Sequence, residues 1–246
     1  MKKISKISII IPAYNEEKTL EEIIKRVSRA PTLGLNKEII IVNDGSTDKT
    51  QRILNKYKKR KEFKIINKIK NEGKGNALRT GFKVATGNII IVQDADLEYD
   101  PNDYPLLIEP ILKGETSIVY GSRFLKKMKG TTLSMFLMGK NEKTRLRFYL
   151  GGTMLTIMVN VLYNAKITDE ATCYKVFKRE VLKRVKLKCR RFEFCPEFTA
   201  KARKNKFKIK EVPINYNPRS IEEGKKIKVI DGLYAIWILI KYRFIN

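Results

Sequence analysis

The chain has 246 residues, with 52 Lys/Arg against 26 Asp/Glu for a formal net charge of +26, and it contains 3 Cys and no His. That length suits one domain with a substantial core. The missing histidine excludes imidazole general-base catalysis and histidine-ligated zinc; the three cysteines lack C-x-x-C spacing, which excludes a disulfide framework and fits a reducing, cytosolic compartment.

In chain order, Ile7–Ile11 reads as a short buried strand stopped by Pro12, broken too early for a signal peptide. Residues 16–29 carry Leu20, Ile23, Ile24 and Val27 at helical spacing, with acids in the first turn. Glu38–Val42 is a second strand, after which Ser46 is a natural N-cap for a helix from Thr47 to about Lys59. Phe63–Ile66 gives a third strand, Gly75–Ala85 a helix, Asn88–Gln93 a fourth strand and Thr116–Tyr120 a fifth. Strands alternating with helices predict an α/β fold with a mainly parallel sheet. The second half is less regular. Phe148–Leu162 is apolar almost all round, and Asp231–Arg243 combines Trp237, Tyr234 and branched aliphatics with terminal Lys241 and Arg243. Such a helix either docks on its own domain or lies in a membrane interface. No apolar run reaches the ~18 residues of a spanning helix.

Four polar segments fall where successive strands end. They are Pro12-Ala13-Tyr14-Asn15-Glu16, Asn43-Asp44-Gly45-Ser46-Thr47-Asp48, Asn71 to Arg79 around Gly73-Lys74-Gly75, and Asp94-Ala95-Asp96-Leu97-Glu98. The carboxyl edge of an open α/β sheet is where ligands bind. In extended backbone Asp94 and Asp96 point the same way, and two converging carboxylates attract a hard cation, Mg²⁺ or Mn²⁺. Each segment alone reads as an ordinary turn or cap. Together they predict a crevice with an aromatic, amides, carboxylates, a lysine and a metal site, suited to a nucleotide diphosphate. The charge is uneven: residues 1–119 hold 22 Lys/Arg against 16 Asp/Glu, whereas residues 120–246 hold 30 against 10. The second half therefore calls for an anionic partner.

The series P-A-Y-N-E, V-N-D-G-S-T-D, G-K-G-N-A-L-R-T-G, Q-D-A-D-L-E-Y-D-P and Y-G-S-R-F resembles family 2 glycosyltransferases of the GT-A fold. Within them it is similar to the dolichyl-phosphate mannose and glucose synthases. Thr168-Asp169-Glu170-Ala171-Thr172-Cys173-Tyr174-Lys175-Val176-Phe177 and Glu223-Gly224-Lys225-Lys226-Ile227 extend the match. The resemblance implies one GT-A domain over 1–246, with residues 1–120 holding the nucleotide sugar and 121–246, including the C-terminal amphipathic helices, serving the acceptor. Pro12, Tyr14 and Glu16 would line the nucleotide, with Asn43 and Asp44 at base and ribose. Lys74 and Arg79 would add charge there. Asp94, Ala95 and Asp96 would face the diphosphate, with Asp94, Asp96 and a third ligand, Glu98, on the metal. Many relatives carry Asp where this chain has Asn43, which leaves the base open.

The acceptor class follows from chemistry. A sugar hydroxyl needs a general base, whereas a phosphate monoester with a second pKa near ~6 is already anionic and needs positioning. Arginine positions phosphate bidentately. Arg123, Arg145, Arg147, Lys175 and Arg219 are the acceptor-phosphate candidates, and Asp169 is the one plausible base in the second half. The expected reaction is metal-dependent, inverting transfer of a hexose from GDP-mannose or UDP-glucose to dolichyl or polyprenyl phosphate, by a peripheral protein on the cytoplasmic face of a membrane. The alternative is a saccharide hydroxyl acceptor with Asp169 as base. Nucleic acid binding is a remote alternative: the basic residues form no recognised motif, and an acidic crevice would repel a phosphate backbone. Many of the synthases carry C-terminal transmembrane helices that this sequence lacks, and Phe124 to Asn141 reads as a mobile acceptor loop.

Overall fold

The isoleucine- and valine-rich runs assemble side by side. In the computed structural model, which describes residues 4–125, 142–219, 226–227 and 229–245 (side chains of 142–148 and 229 excepted), one sheet has the strand order β3-β2-β1-β4-β6-β5-β7. The strands are β1 (Lys6–Ala13), β2 (Asn36–Asn43), β3 (Phe63–Asn67), β4 (Ile89–Val92), β5 (Ile118–Ser122), β6 (Lys175–Lys178) and β7 (Ile209–Pro213). All neighbouring pairs are parallel except the two that β6 makes, with β4 and with β5. The carboxyl ends of the other strands and the amino end of β6 therefore meet at one edge, and β5 to β7 from the second half of the chain extend the sheet begun by the first. Ile7, Ile9, Ile10 and Ile11 are all fully buried, as a strand covered on both faces requires.

Helices α1 (Leu20–Arg29), α2 (Thr50–Asn55), α3 (Lys74–Val84) and α4 (Tyr104–Leu112) follow the first four strands. α1 buries Leu20, Ile23, Ile24 and Val27, the residues whose spacing predicts it. It begins four residues later than expected, because residues 16–19 form a turn in which Thr19 Oγ1 donates to the Glu16 carboxylate at 2.8 Å. α2 is also shorter than expected and is not capped by Ser46. That hydroxyl accepts from the Asn15 amide at 3.0 Å, and the Asp48 carboxylate accepts from Thr50 N at 2.9 Å. A tertiary contact has taken the cap away from the helix and used it to join the β1 and β2 ends.

The second half adds α5 (Glu142–Tyr163), α6 (Val181–Arg184), α7 (Phe194–Lys204) and α8 (Val229–Phe244). The C-terminal helix α8 docks one face on the domain and leaves an apolar stripe exposed on the other. Ala235, Ile238, Leu239 and Tyr242 are buried, and the Tyr163 hydroxyl of α5 donates to the Leu239 carbonyl at 2.5 Å. It docks on α5 and α7. The opposite stripe exposes Ile230, Leu233, Tyr234, Trp237 and Ile240, while α5 exposes Leu150, Met154, Ile157 and Val161, spaced to share one face. Among the described residues, no helix is long and apolar enough to cross a membrane. Most of the stretch from Phe124 to Asn141, namely 126–141, lies outside the described residues, as does 223–225 of the E-G-K-K-I motif.

Candidate active site

The acidic segment leaves β4 in a turn that folds its own carboxylates together. Leu97 takes a left-handed φ of 63°, which brings the Glu98 amide to 3.2 Å from Asp96 Oδ1. Behind the turn, Gln93 Oε1 accepts from the hydroxyls of Tyr104 and Tyr174, both at 2.8 Å, and its amide donates to the Asp94 carbonyl at 3.0 Å. Basic side chains from elsewhere meet these acids. Lys74 Nζ lies 2.6 Å from Asp94 Oδ1, and Arg219 Nη2 lies 3.1 Å from Asp96 Oδ2. Arg219 Nη1 also reaches Glu16 Oε2 at 3.5 Å, and Lys226 Nζ sits 2.6 Å from Glu16 Oε1. Lys226 further donates to the carbonyls of Tyr14 and Asn15.

These cations do not fully balance the acids. Burial first, then the neighbouring carboxylates of Asp94 and Glu98, push the Asp96 carboxyl up to about 7 against the pull of Arg219 and Lys74. Asp94 and Asp96 offer only hard oxygen donors in a site short of positive charge, so they fit a divalent cation with further positions left for ligand oxygens. Glu98 does not join them. Its Oε2 accepts from the Tyr216 hydroxyl at 2.9 Å and its Oε1 from the Arg219 amide at 2.8 Å. Among the described residues, no three acidic or thiol side chains surround one metal position. The expected third ligand is an anchor for residues 216–219 instead.

At the β2 end, Asn43 and Asp44 are held by hydrogen bonds to neighbouring segments. Asn43 is buried: its Nδ2 donates to Gln51 Oε1 at 2.8 Å, and its Oδ1 accepts from Ser46 N at 3.1 Å. Asp44 takes Lys68 Nζ at 2.6 Å and the amide of Gly73 at 2.7 Å. Both residues expected at base and ribose therefore hold their own loops, and Asp44 fixes the turn that carries Lys74. Gly73 has φ 94°, and a Cβ there would come within 2.5 Å of the Arg190 carbonyl. No other residue fits that approach. The close contact continues with Gly75 N donating to the Arg191 carbonyl at 2.8 Å. Arg79 belongs to this seam too, donating to the Lys188 and Cys189 carbonyls at 3.4 Å. Pro12 is the penultimate residue of β1, and Ala95 lies buried between the two aspartates in sequence.

Arg123 follows β5, and Asp169 precedes β6 on the same edge. Asp169 is 1% exposed and gives everything it has to Arg123: Oδ2 accepts from Nε at 2.7 Å and from the backbone amide at 3.0 Å, and Oδ1 accepts from Nη2 at 2.7 Å. Glu211 of β7 holds the Asp169 amide at 3.0 Å and the Thr168 amide at 2.7 Å. The Arg123 guanidinium also lies over the Tyr216 ring at 4.9 Å, and Tyr216 in turn reaches Glu98. One aromatic thus links the two charged groups of the crevice. Every hydrogen bond that the Asp169 carboxylate accepts here comes from Arg123.

The other acceptor candidates separate. Arg219 stands on the donor acids, away from the position expected of it. Lys175 is fully buried in β6, with Nζ donating to the Glu170 carbonyl at 3.0 Å and lying 3.7 Å from the centre of the Tyr120 ring. No acceptor reaches it there. Arg145 and Arg147 fall in the first turns of α5, and their side chains lie outside the described residues. Tyr216, Glu211 and Gln93 were not legible as site residues, since their partners lie far away in sequence. Lys226 was signalled by the E-G-K-K-I motif, without a role.

A family model described as "Glycosyl transferase family 2" matches residues 8–186. A dolichol-phosphate mannosyltransferase of Pyrococcus furiosus is 32% identical over 96% of this chain, which spans 64% of that relative's length. A UDP-N-acetylglucosamine–dolichyl-phosphate N-acetylglucosaminyltransferase of Methanococcus voltae is 29% identical, with 96% of each chain covered. Among solved structures, glucosyl-3-phosphoglycerate synthase of Mycobacterium tuberculosis, in complex with Mn²⁺, UDP and phosphoglyceric acid, superposes with a TM-score of 0.70 at 19% identity, over 98% of this chain and 80% of that one. That likeness concerns the fold, the GT-A arrangement of a mainly parallel sheet flanked by helices. The family match spans well over half of the sequence and includes every crevice segment from β1 to β6, so this chain belongs to glycosyl transferase family 2.

Proposed function

We propose that the protein transfers a hexose, mannose or glucose, from a nucleotide diphosphate sugar to dolichyl or polyprenyl phosphate, with inversion, at the cytoplasmic surface of a membrane. The observation that carries this reading is the Arg123–Asp169 pair. A hydroxyl acceptor needs a base, and Asp169, the acid beside Arg123, is engaged by three hydrogen bonds from Arg123. An acceptor phosphate needs no base; it needs a fixed cation. The same three bonds hold Arg123 in one orientation, so little side-chain entropy remains to be lost when an anion docks. The dolichyl-phosphate acceptors named for the two relatives agree with this chemistry.

On the donor side, Tyr14 and Glu16 line one wall, Lys74 lies over Asp94, and Asp94 with Asp96 would hold Mg²⁺ or Mn²⁺. A divalent cation bound there supplies neutralisation of the departing diphosphate. Lys74 and Arg219 add positive charge beside Asp94 and Asp96, and Asp44 keeps the Lys74 turn in place. Inversion follows from a single in-line displacement by the phosphate oxygen, with no nucleophilic side chain interposed. The exposed stripes of α5 and α8 suit a hydrocarbon boundary, and Lys241, 4.6 Å from the centre of the Trp237 ring, suits the headgroup level. The three free cysteines fit the reducing side of that membrane. The direct test offers GDP-mannose, UDP-glucose and UDP-N-acetylglucosamine in turn, with polyprenyl phosphate and Mg²⁺ or Mn²⁺, and measures lipid-extractable sugar. Transfer from one donor that EDTA abolishes is expected; no transfer from any of the three refutes the reading.

A further inference from the structure

The loop after β4 and the segment after β7 are zipped together across more than a hundred residues of sequence. Asp103 accepts from the amide of Asn215 at 2.6 Å and from its side-chain nitrogen at 2.8 Å. Tyr99 and Tyr216 form an antiparallel bridge, with ring centroids 5.1 Å apart. The Asn217 amide donates to the Glu98 carbonyl at 2.8 Å, and the Glu98 carboxylate takes both the Tyr216 hydroxyl and the Arg219 amide. This zipper delivers one side chain into the crevice. Arg219 contacts Asp96 and Glu16 with its two terminal nitrogens, while its Nε is buried without a hydrogen-bond partner, 4.0 Å from Glu98. The guanidinium is thus held by charge with one donor unsatisfied, an arrangement open to a better anionic partner.

We infer that Arg219 is an internal counter-cation for Asp96 and Glu16, positioned by Glu98, and that it must leave Asp96 before a divalent ion can bind there. The inference rests on the donor reading above and adds an order to it. A divalent ion alone competes with Arg219 for Asp96, and the displaced guanidinium keeps only its longer contacts with Glu16 and Glu98. A divalent ion entering with a nucleoside diphosphate brings phosphate oxygens that Arg219 can take instead, bidentately. Metal and donor therefore bind together far better than metal alone, and Glu98 acts through Arg219 as a positioning residue.

The test measures Mn²⁺ binding to the whole protein without nucleotide, by the electron paramagnetic resonance signal of free Mn²⁺, for wild type, Arg219→Met and Arg219→Lys, with circular dichroism melting to establish folding. Arg219→Met, which keeps the stem and loses the charge, should bind Mn²⁺ at least about tenfold tighter than wild type, and should lose most of the gain that UDP or GDP gives wild type. Arg219→Lys, which keeps the charge, should stay near wild type. Adding Glu98→Gln to Arg219→Met should leave Mn²⁺ affinity within about threefold, since the residue it positions is gone. Equal Mn²⁺ affinity in wild type and Arg219→Met overturns the exchange and leaves the donor reading standing, as does an Arg219→Lys protein that behaves like Arg219→Met. A tenfold fall on adding Glu98→Gln makes Glu98 a ligand and overturns its positioning role. No Mn²⁺ binding by any of these proteins, with or without nucleotide, overturns both the exchange and the donor reading.

Discussion

The two charged groups at the sheet edge are built on opposite plans. At the donor end, Asp94 and Asp96 are neighbours in sequence, and their cations arrive singly from α3 and from the segment after β7, leaving Asp96 with its carboxyl pushed up to about 7 by burial and by the adjacent acids. At the acceptor end, one arginine and one aspartate from different loops neutralise each other through a bidentate pair, with Glu211 fixing the backbone behind it. In the first group each acid meets a single cation; in the second, one arginine and one aspartate hold each other through three hydrogen bonds. A transferase with a departing diphosphate and an incoming phosphate needs both, a site that accepts charge and a site that holds still.

The largest effect should come from breaking the first group. Asp96→Ala is expected to lower turnover about a hundred- to a thousandfold, since metal-held charge stabilisation is worth several kcal/mol, and added Mg²⁺ or Mn²⁺ should not restore it. Donor-sugar assays across a metal titration check this. Breaking the second group should act on stability as well as rate. Asp169→Ala strands the Arg123 guanidinium, 14% exposed, among aromatics, at a cost of about 3–5 kcal/mol and on the order of 10 °C in melting temperature. Removing both partners, Arg123→Ala with Asp169→Ala, should recover part of that loss while still abolishing acceptor use. Differential scanning calorimetry of the two single variants and the double variant measures the coupling.

A smaller effect tests the foundation of the second group. Burial raises the Glu170 carboxyl to about 7, against the opposing pull of Lys175, and leaves its Oε1 without a hydrogen-bond partner. A folded-state value above the unfolded one means that the neutral carboxyl is favoured on folding. Its contribution is fully present below about pH 4.5 and lost as pH rises through about 7. Glu170→Gln should therefore flatten the decline in stability over that window and leave the protein more stable at pH 8, by roughly 3 kcal/mol at most. Chemical denaturation at pH 5 and pH 8 reads the difference; an equal decline in both proteins places the titrating group elsewhere. The smallest effect concerns α8. Anionic vesicles should blue-shift the emission of Trp237, 48% exposed, and salt should release the protein only in part, because each nearby Lys or Arg contributes about 1 kcal/mol while the apolar stripe is insensitive to ionic strength. An unchanged spectrum without vesicle co-sedimentation would leave lipid capture to another surface.

Strands β1 to β5 were legible to within two residues or so, because each is a run of branched aliphatics bounded by Pro, Gly, Asn or Asp, and local signals suffice for that. The acids after β4 were legible for the same reason. What escaped was set by long-range partners. Ser46 has the sequence context of a helix cap, yet the Asn15 amide claims it. Lys175 reads as a phosphate ligand until the Tyr120 ring and the Glu170 carbonyl are seen around it. Glu98 has the spacing of a third metal ligand, and its actual partners are 118 and 121 residues away. Strands β6, Lys-Val-Phe-Lys with its antiparallel insertion, and β7, Ile-Lys-Glu-Val-Pro, are short and broken by charged residues, so periodicity alone does not mark them.

The proposed phosphate acceptor rests on Arg123 and on the engagement of Asp169 with it. It is tested most directly by comparing initial rates with polyprenyl phosphate and with the matching free polyprenol, at one donor concentration and in the same detergent or vesicle preparation. The account predicts transfer to the phosphate and next to none to the alcohol. Equal rates with the two acceptors would contradict it, and would return Asp169 to the role of general base.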